Sequence, residues 1–187
     1  MIYITSDWHL CHDRSFIYTP RGFNSVEEMN KEIIKRHNSI VTDEDEVYVL
    51  GDCCLGGAES LDKSKELIET FKGKLHIICG NHCTPKRIEM YKTCRNVIEV
   101  VYATMLSYKG YHFYLSHFPT LTANLEKESL KQCTICLFGH THSTDLFYND
   151  IPFMYNVAQD AHECYPVLLD DAIEQMKLKV KECKAQL

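Results

Sequence analysis

Five short apolar runs in this chain each stop at residues that can hold a metal ion or a proton. Ile2 to Ser6 ends at Asp7-Trp8-His9, Val47 to Leu50 at Gly51-Asp52, and Leu75 to Cys79 at Gly80-Asn81-His82. Tyr111 to Ser116 ends at His117, and Thr134 to Phe138 at Gly139-His140-Thr141-His142. Runs this short, rich in β-branched and aromatic residues, read as strands. Helical patterns separate the first three. Ser25-Val26-Glu27-Glu28 is a capping box opening a helix with Val26, Met29, Ile33, Ile34 and His37 near one face. A second helix is expected from about Glu59 to Phe71, and Pro85 opens a third in its tolerated first turn.

The second half reads as a meander. Val97 to Val101 and Ala103 to Tyr108 are predicted strands, and Lys109-Gly110 turns the chain into Tyr111 to Ser116. Leu121 to Lys131 is expected to be helical, and Leu146 to Tyr148 and Ile151 to Asn156 to pair across Asn149-Asp150. Asp170 or Asp171 is expected to cap a last amphipathic helix running to about Cys183. Strands alternating with helices, then meander strands, predict an α/β fold. Its expected form is a four-layer α/β/β/α sandwich of two mixed β-sheets flanked by helices. At 187 residues, one domain spanning 1–187 is expected. The long polar and aromatic stretch from Asp7 to Asn24 is expected to be a functional loop.

Net charge is −6, which argues against sequence-independent coating of nucleic acid. No apolar run approaches ~18 residues, so no membrane span is expected. Met1 to Ser6 lacks a basic segment and reaches Asp7 too soon for a secretory signal, so the cytoplasm is the expected compartment. Ten cysteines in that compartment read as small apolar residues rather than disulfides. Cys133-Thr134-Ile135-Cys136 is the one CxxC, and it lies in or beside an apolar strand. A redox CxxC would sit at a helix start with an exposed thiol, so Cys133 and Cys136 are read as core.

The strand-end residues Asp7, His9, Asp52, Asn81, His82, His117, His140 and His142 offer oxygen and imidazole donors. That set suits manganese, iron or zinc at expanded coordination, not a thiolate site. In extended chain, Asp7-x-His9 and His140-x-His142 would each put two side chains on one side. Two such pincers and a shared aspartate provide enough donors for two divalent cations ~3.5–4 Å apart. His37, His76 and His112 lie inside periodic segments and are read as surface or satisfied histidines.

The ordered set Asp7-x-His9, Gly51-Asp52, Gly80-Asn81-His82, His117, Gly139-His140-x-His142 resembles the calcineurin-like metallophosphoesterases, across residues 1 to about 160. The stretch from Thr5 through His12 and Arg21 to Met29 is similar to the small single-domain bacterial and phage branch. The resemblance implies that Asp7, His9 and His142 hold one metal and that Asn81, His117 and His140 hold the other. It implies that Asp52 bridges them and that His82 is the general acid, with Asp52 and His82 the catalytic pair. The implied reaction is hydrolysis of a phosphate mono- or diester by a hydroxide bridging two metals. The implied substrate is a small phosphorylated molecule, nucleotides included, with nucleic acid not expected as a stable partner. Asn81 and His12 are assigned to substrate, His12 alternatively to support of the ligands. A second reading is a protein that kept this fold for binding or scaffolding and lost the chemistry.

This chain departs from the family pattern at Cys83, where an acidic residue usually follows Gly-Asn-His. That acid would orient His82. Two residues stay open: Trp8 is either a wall of the substrate pocket or core. Arg21 either meets a phosphate oxygen or is a solvated loop cation. Gly51, Gly80 and Gly139 are expected to allow sharp turns at the ligand positions.

Overall fold

A computed structural model describes residues 1–57, 60–123 and 129–185. Two mixed sheets pack face to face and are flanked by helices, as the pattern predicts. In the first sheet, β1 (Ile2–Thr5), β2 (Glu46–Leu50), β3 (Lys74–Ile78) and β4 (Val97–Val101) run parallel. The short β9 (Val167–Leu168) closes it, antiparallel to β1, giving the order β4-β3-β2-β1-β9. The second sheet has the order β5-β6-β7-β8, from Ala103–Tyr108, Tyr111–Ser116, Thr134–Phe138 and Met154–Asn156. Its first pair is antiparallel and the others are parallel.

Alternation along the strands divides the core. Val47, Val49, Leu75 and Ile77 pack with Val26, Met29 and Ile33 of helix α2 (Val26–Ile40), numbered after the one-turn α1 (Ser15–Tyr18). Ile68 of α3 (Leu61–Ile68) and Tyr91 of α4 (Pro85–Lys92) join that cluster. On the other face Ile4, Leu50 and Ile78 meet Phe113, Leu115, Ile135 and Leu137 of the second sheet. Helix α5 (Leu169–Ala185) lays Leu169, Ala172, Ile173 and Met176 into the same core.

The capping box forms with one adjustment. Ser25 Oγ accepts the Glu28 N–H, while the Glu28 carboxylate takes the N–H of Asn24 rather than of Ser25. Asp170 and Asp171 lie in the first turn of α5 rather than capping it. The expected hairpin at 146–156 is not one. Asn149 and Asp150 do turn with positive φ, but only the bridge Phe147–Tyr155 joins the arms, and β8 pairs in parallel with β7. Of the helix expected from Leu121 to Lys131, residues 121–123 and 129–131 are not helical and 124–128 lie outside the described residues, as does Glu59 at the expected start of the second helix.

His76 is held between Glu46 (2.6 Å) and Glu99 (2.7 Å), and His112 bonds Ser107. His37 is buried beside Trp8 and Phe71. Its Nε2–H donates to Lys72 O at 2.9 Å, and its Nδ1 is buried without a partner. Burial holds its pKa down to about 4 from 6.5. The folded pKa is depressed, so this contribution is present above pH 6.5 and is lost as pH falls toward 4. The loss amounts to about 3 kcal/mol. His37→Gln, which keeps a donor for Lys72, is expected to flatten the acid arm of stability. Urea unfolding of both proteins at pH 7.5 and 5 measures it; parallel losses would refute the assignment.

Candidate metal centre

The expected strand-end residues converge where the C-terminal ends of β1, β2, β3, β6 and β7 meet, the edge at which such sheets carry their sites. Backbone bonds stitch the loops together. Asp7 N–H donates to Gly51 O, His9 N–H to Asp52 O and Gly139 N–H to His117 O, at 2.9 to 3.1 Å.

The first donor set is Asp7, His9 and His142. Asp7 Oδ2 is satisfied by Ser6 Oγ and by the His140 N–H. Asp7 Oδ1 is buried without a partner, and so is His9 Nε2. They stand 3.7 Å apart, with His142 Nε2 3.9 Å from the same oxygen. Unpaired buried polar atoms are costly. Three donors aimed at one point, two of them otherwise orphaned, fit a cation.

The second set is tighter. Asn81 Oδ1 lies 2.8 Å from His117 Nε2 and 3.0 Å from His140 Nδ1, and those two nitrogens are 3.2 Å apart. Asp52 Oδ2 is 3.4 Å from His117 Nε2. Ligand atoms of Asp7, Asp52 and His117 all fall within 4.8 Å of one another, so Asp7 is common to both sets and Asp52 sits with the second.

Partners on the far side fix which nitrogen each ring presents. His117 Nδ1–H donates to Leu50 O at 2.8 Å, leaving Nε2 for the site. His142 Nδ1–H donates to Asp160 Oδ2 at 2.9 Å. His9 Nδ1 pairs with His12 Nδ1 at 3.1 Å. His12 therefore supports His9 in this structure, and burial next to His9 and His82 brings its pKa down to about 4.

Electrostatics keep both carboxylates charged. Burial raises the Asp7 pKa, but the His9 hydrogen bond and the His117 charge outweigh it and the net shift is downward. Asp52 follows the same pattern, with His117 the main counterweight to burial.

The extended geometry expected for the two pincers does not occur. Asp7, His9, Asp52, His140 and His142 all have positive φ, between 47° and 68°. Each motif lies just past a strand and curls, so the side chains converge by backbone strain, not by strand alternation. The glycines also differ from expectation. Only Gly51 has positive φ, 92°. Gly80 and Gly139 are required by close approach: a Cβ would strike the Asp52 carboxylate at one and the Asp7 carboxylate at the other.

Trp8 is core, stacked on Phe71 at 4.1 Å and fully buried. Arg21 is neither solvated nor facing substrate. It forms a buried two-point pair with Asp160 (2.9 and 2.8 Å) and donates to Asp7 O and Trp8 O. Asp160 is the residue sequence reasoning missed, and nothing local marks it. It joins His142 to the loop that carries Asp7. Asp160→Asn, still able to accept from His142, is expected to weaken metal binding about 10- to 100-fold. Calorimetric titration of the metal-free protein measures this; unchanged affinity would refute the role.

His82 lies beside the two sets. Its N–H donates to Asp52 Oδ1, its carbonyl accepts from Arg87, and its Nε2 is 3.8 Å from Asp52 Oδ2. The ring is 41 % exposed. Cys83 points back, accepting the Gly80 N–H at 3.2 Å. Cys133 and Cys136 are buried, and burial raises the Cys136 thiol to about 11. All ten cysteines are described, and none forms a disulfide.

A two-sheet α/β fold carrying two clusters of Asp, Asn and His at strand ends defines a class, and the comparisons agree with it. The model of the calcineurin-like phosphoesterase superfamily domain matches residues 1–157, and the chain belongs to that family. An uncharacterized protein of Methanocaldococcus jannaschii, MJ1445, is 33% identical over 175 residues, covering 90% of this chain and 87% of that one. Among solved structures, the protein of unknown function AQ665 from Aquifex aeolicus superposes with a TM-score of 0.69 at 18% identity, covering 94% of this chain and 98% of that one. A second structure, described as a novel archaeal phosphodiesterase, has a TM-score of 0.46 at 16% identity, over 84% of this chain and 81% of that one. No helix among the described residues is long and apolar enough to cross a membrane.

Proposed function

We propose that this protein is a phosphoesterase that hydrolyses a phosphate mono- or diester with two divalent cations. The supporting observation is the pair of donor clusters that meet at Asp7, the second of them including Asp52, with Asp7 Oδ1 and His9 Nε2 buried and unpaired. In this reading Asp7, His9 and His142 hold one cation, Asn81, His117 and His140 the other, and Asp52 both. Manganese, iron and zinc all suit such donors. Bound cations of this kind supply a water of lowered pKa and neutralise charge on phosphoryl oxygens. The chain's own contribution is position and proton transfer. Asp160 and Leu50 O hold His142 and His117 so that Nε2 faces inward. His82, exposed beside Asp52, donates the proton that the leaving oxygen needs. His12 acts through His9.

Elemental analysis after reconstitution, with turnover of bis(4-nitrophenyl) phosphate and 4-nitrophenyl phosphate, tests this reading. The expected result is two equivalents of metal and chelator-sensitive hydrolysis. Metal binding without hydrolysis of either ester would favour a binding protein, and no metal uptake would overturn the reading.

A further inference from the structure

Two exposed phenylalanine rings pack against different histidines at the donor clusters. Phe118 follows His117 directly and is 44 % exposed. Its ring centroid lies 5.0 Å from that of His117 and 4.8 Å from that of His140, at steep angles of 74° and 65°. Phe16 is 67 % exposed and meets His12 edge-on at 5.8 Å. A phenyl ring is ordinarily buried, and leaving one in water forgoes roughly 2 kcal/mol. Here the chain keeps Phe118 exposed against two of the donor histidines.

The Phe118 segment is held in place. Phe118 N–H donates to Ser116 Oγ at 3.3 Å, Pro119 follows, and Thr120 N–H reaches Cys136 Sγ at 3.4 Å. Thr122 Oγ1 donates to Thr134 O. The ring therefore rests on a segment tied to β7, with the two histidine rings packed against it and the residue partly exposed.

The two rings have different neighbours. The ring contacts of His82 are with His9 and His12, next to Phe16. Those of Phe118 are with His117 and His140. In the phosphoesterase reading the leaving oxygen faces His82, whose neighbour His12 carries Phe16, and a retained arm directed away from His82 toward His117 and His140 would meet Phe118.

We propose that Phe118 is a stacking platform for an aromatic group on the retained arm of the phosphoester, making nucleotide esters the substrate class. The inference rests on the phosphoesterase reading above. A nucleobase is the aromatic group that a nucleotide ester presents, and every base offers a π-face, so a lone ring selects for nucleotides without selecting among bases.

The experiment holds the leaving group constant. Turnover of the 4-nitrophenyl ester of thymidine 5′-phosphate is compared with that of methyl 4-nitrophenyl phosphate, in wild type, Phe118→Leu and Phe118→Trp. Wild type is expected to prefer the thymidine ester by about fivefold or more in kcat/KM. Phe118→Leu brings that ratio close to one, and Phe118→Trp keeps or raises it. A wild-type ratio near one overturns the proposal. So does a Phe118→Leu variant that loses metal and falls equally on both esters, because the ring then merely props His117 and His140. Calorimetric binding of thymidine 5′-phosphate against methyl phosphate reads the same contrast without turnover. Preference in binding with hydrolysis of neither ester keeps the platform and overturns the phosphoesterase reading. Equal binding overturns the platform.

Discussion

Asp52→Asn is expected to lower kcat by at least about 10²-fold and to leave the protein folded. Loss of a residue that merely supports a metal ligand costs roughly 10–100-fold, so a carboxylate proposed to hold both cations should exceed that range. The fold should survive because the amide can replace the carboxylate in its protein contacts. Asparagine Oδ1 can still accept the His82 N–H, and the Nδ2 group can face His117 Nε2. What disappears is the charge. Thermal melts with and without manganese isolate that loss. A ligand that binds only the folded state stabilises it by about 2.7 kcal/mol at a hundred times its Kd. Wild type should show a corresponding rise in Tm, and Asp52→Asn a much smaller one at the same manganese concentration. Equal shifts in the two proteins would remove Asp52 from the site.

Why Asp52 was legible in the sequence and Asp160 was not is a matter of range. Gly51-Asp52 closes a run of β-branched residues, and a parallel strand must end near such a residue for the sheet edge to carry chemistry. The same local signal exposed Asp7, Asn81, His117 and His140. Asp160 lies 139 residues from the arginine that pins it and 18 from the histidine it orients. No period or turn pattern connects those positions. Arg21 shows the converse. A loop arginine read alone has two ordinary fates, solvent or substrate. The actual one, a buried pair that also caps the Asp7 and Trp8 carbonyls, depends on three distant segments meeting. The hairpin expected at 146–156 failed for a related reason. The turn chemistry at Asn149-Asp150 was read correctly, but β7 offered Met154–Asn156 a longer ladder than the partner arm could. The convergence of the pincers was anticipated for the wrong cause. Positive φ at five donor positions is a tertiary strain that sequence alternation cannot show.

His82→Ala is expected to separate ester types. A general acid helps only when the leaving oxygen needs a proton, and its usual contribution is ~10²–10⁴-fold. A ribose or alkyl oxygen needs that proton badly, while a nitrophenolate barely does. The variant should therefore slow an alkyl phosphoester by an amount in that range and a nitrophenyl ester far less. Bound metal should stay constant, because His82 belongs to neither group of donors whose ligand atoms lie within 4.8 Å of one another. The structure adds a second arm. Cys83 stands where an acid would orient His82, yet its sulfur turns back to the Gly80 N–H, leaving that ring 41 % exposed and without a carboxylate in hydrogen-bond range among the described residues. Cys83→Asp should thus raise the alkyl-ester rate and leave the nitrophenyl rate nearly constant. Rates on both esters for wild type and the two variants, with metal content measured in each, decide the matter. Equal losses on both esters in His82→Ala would assign the ring to charge stabilisation, and a fall in bound metal would make it a ligand.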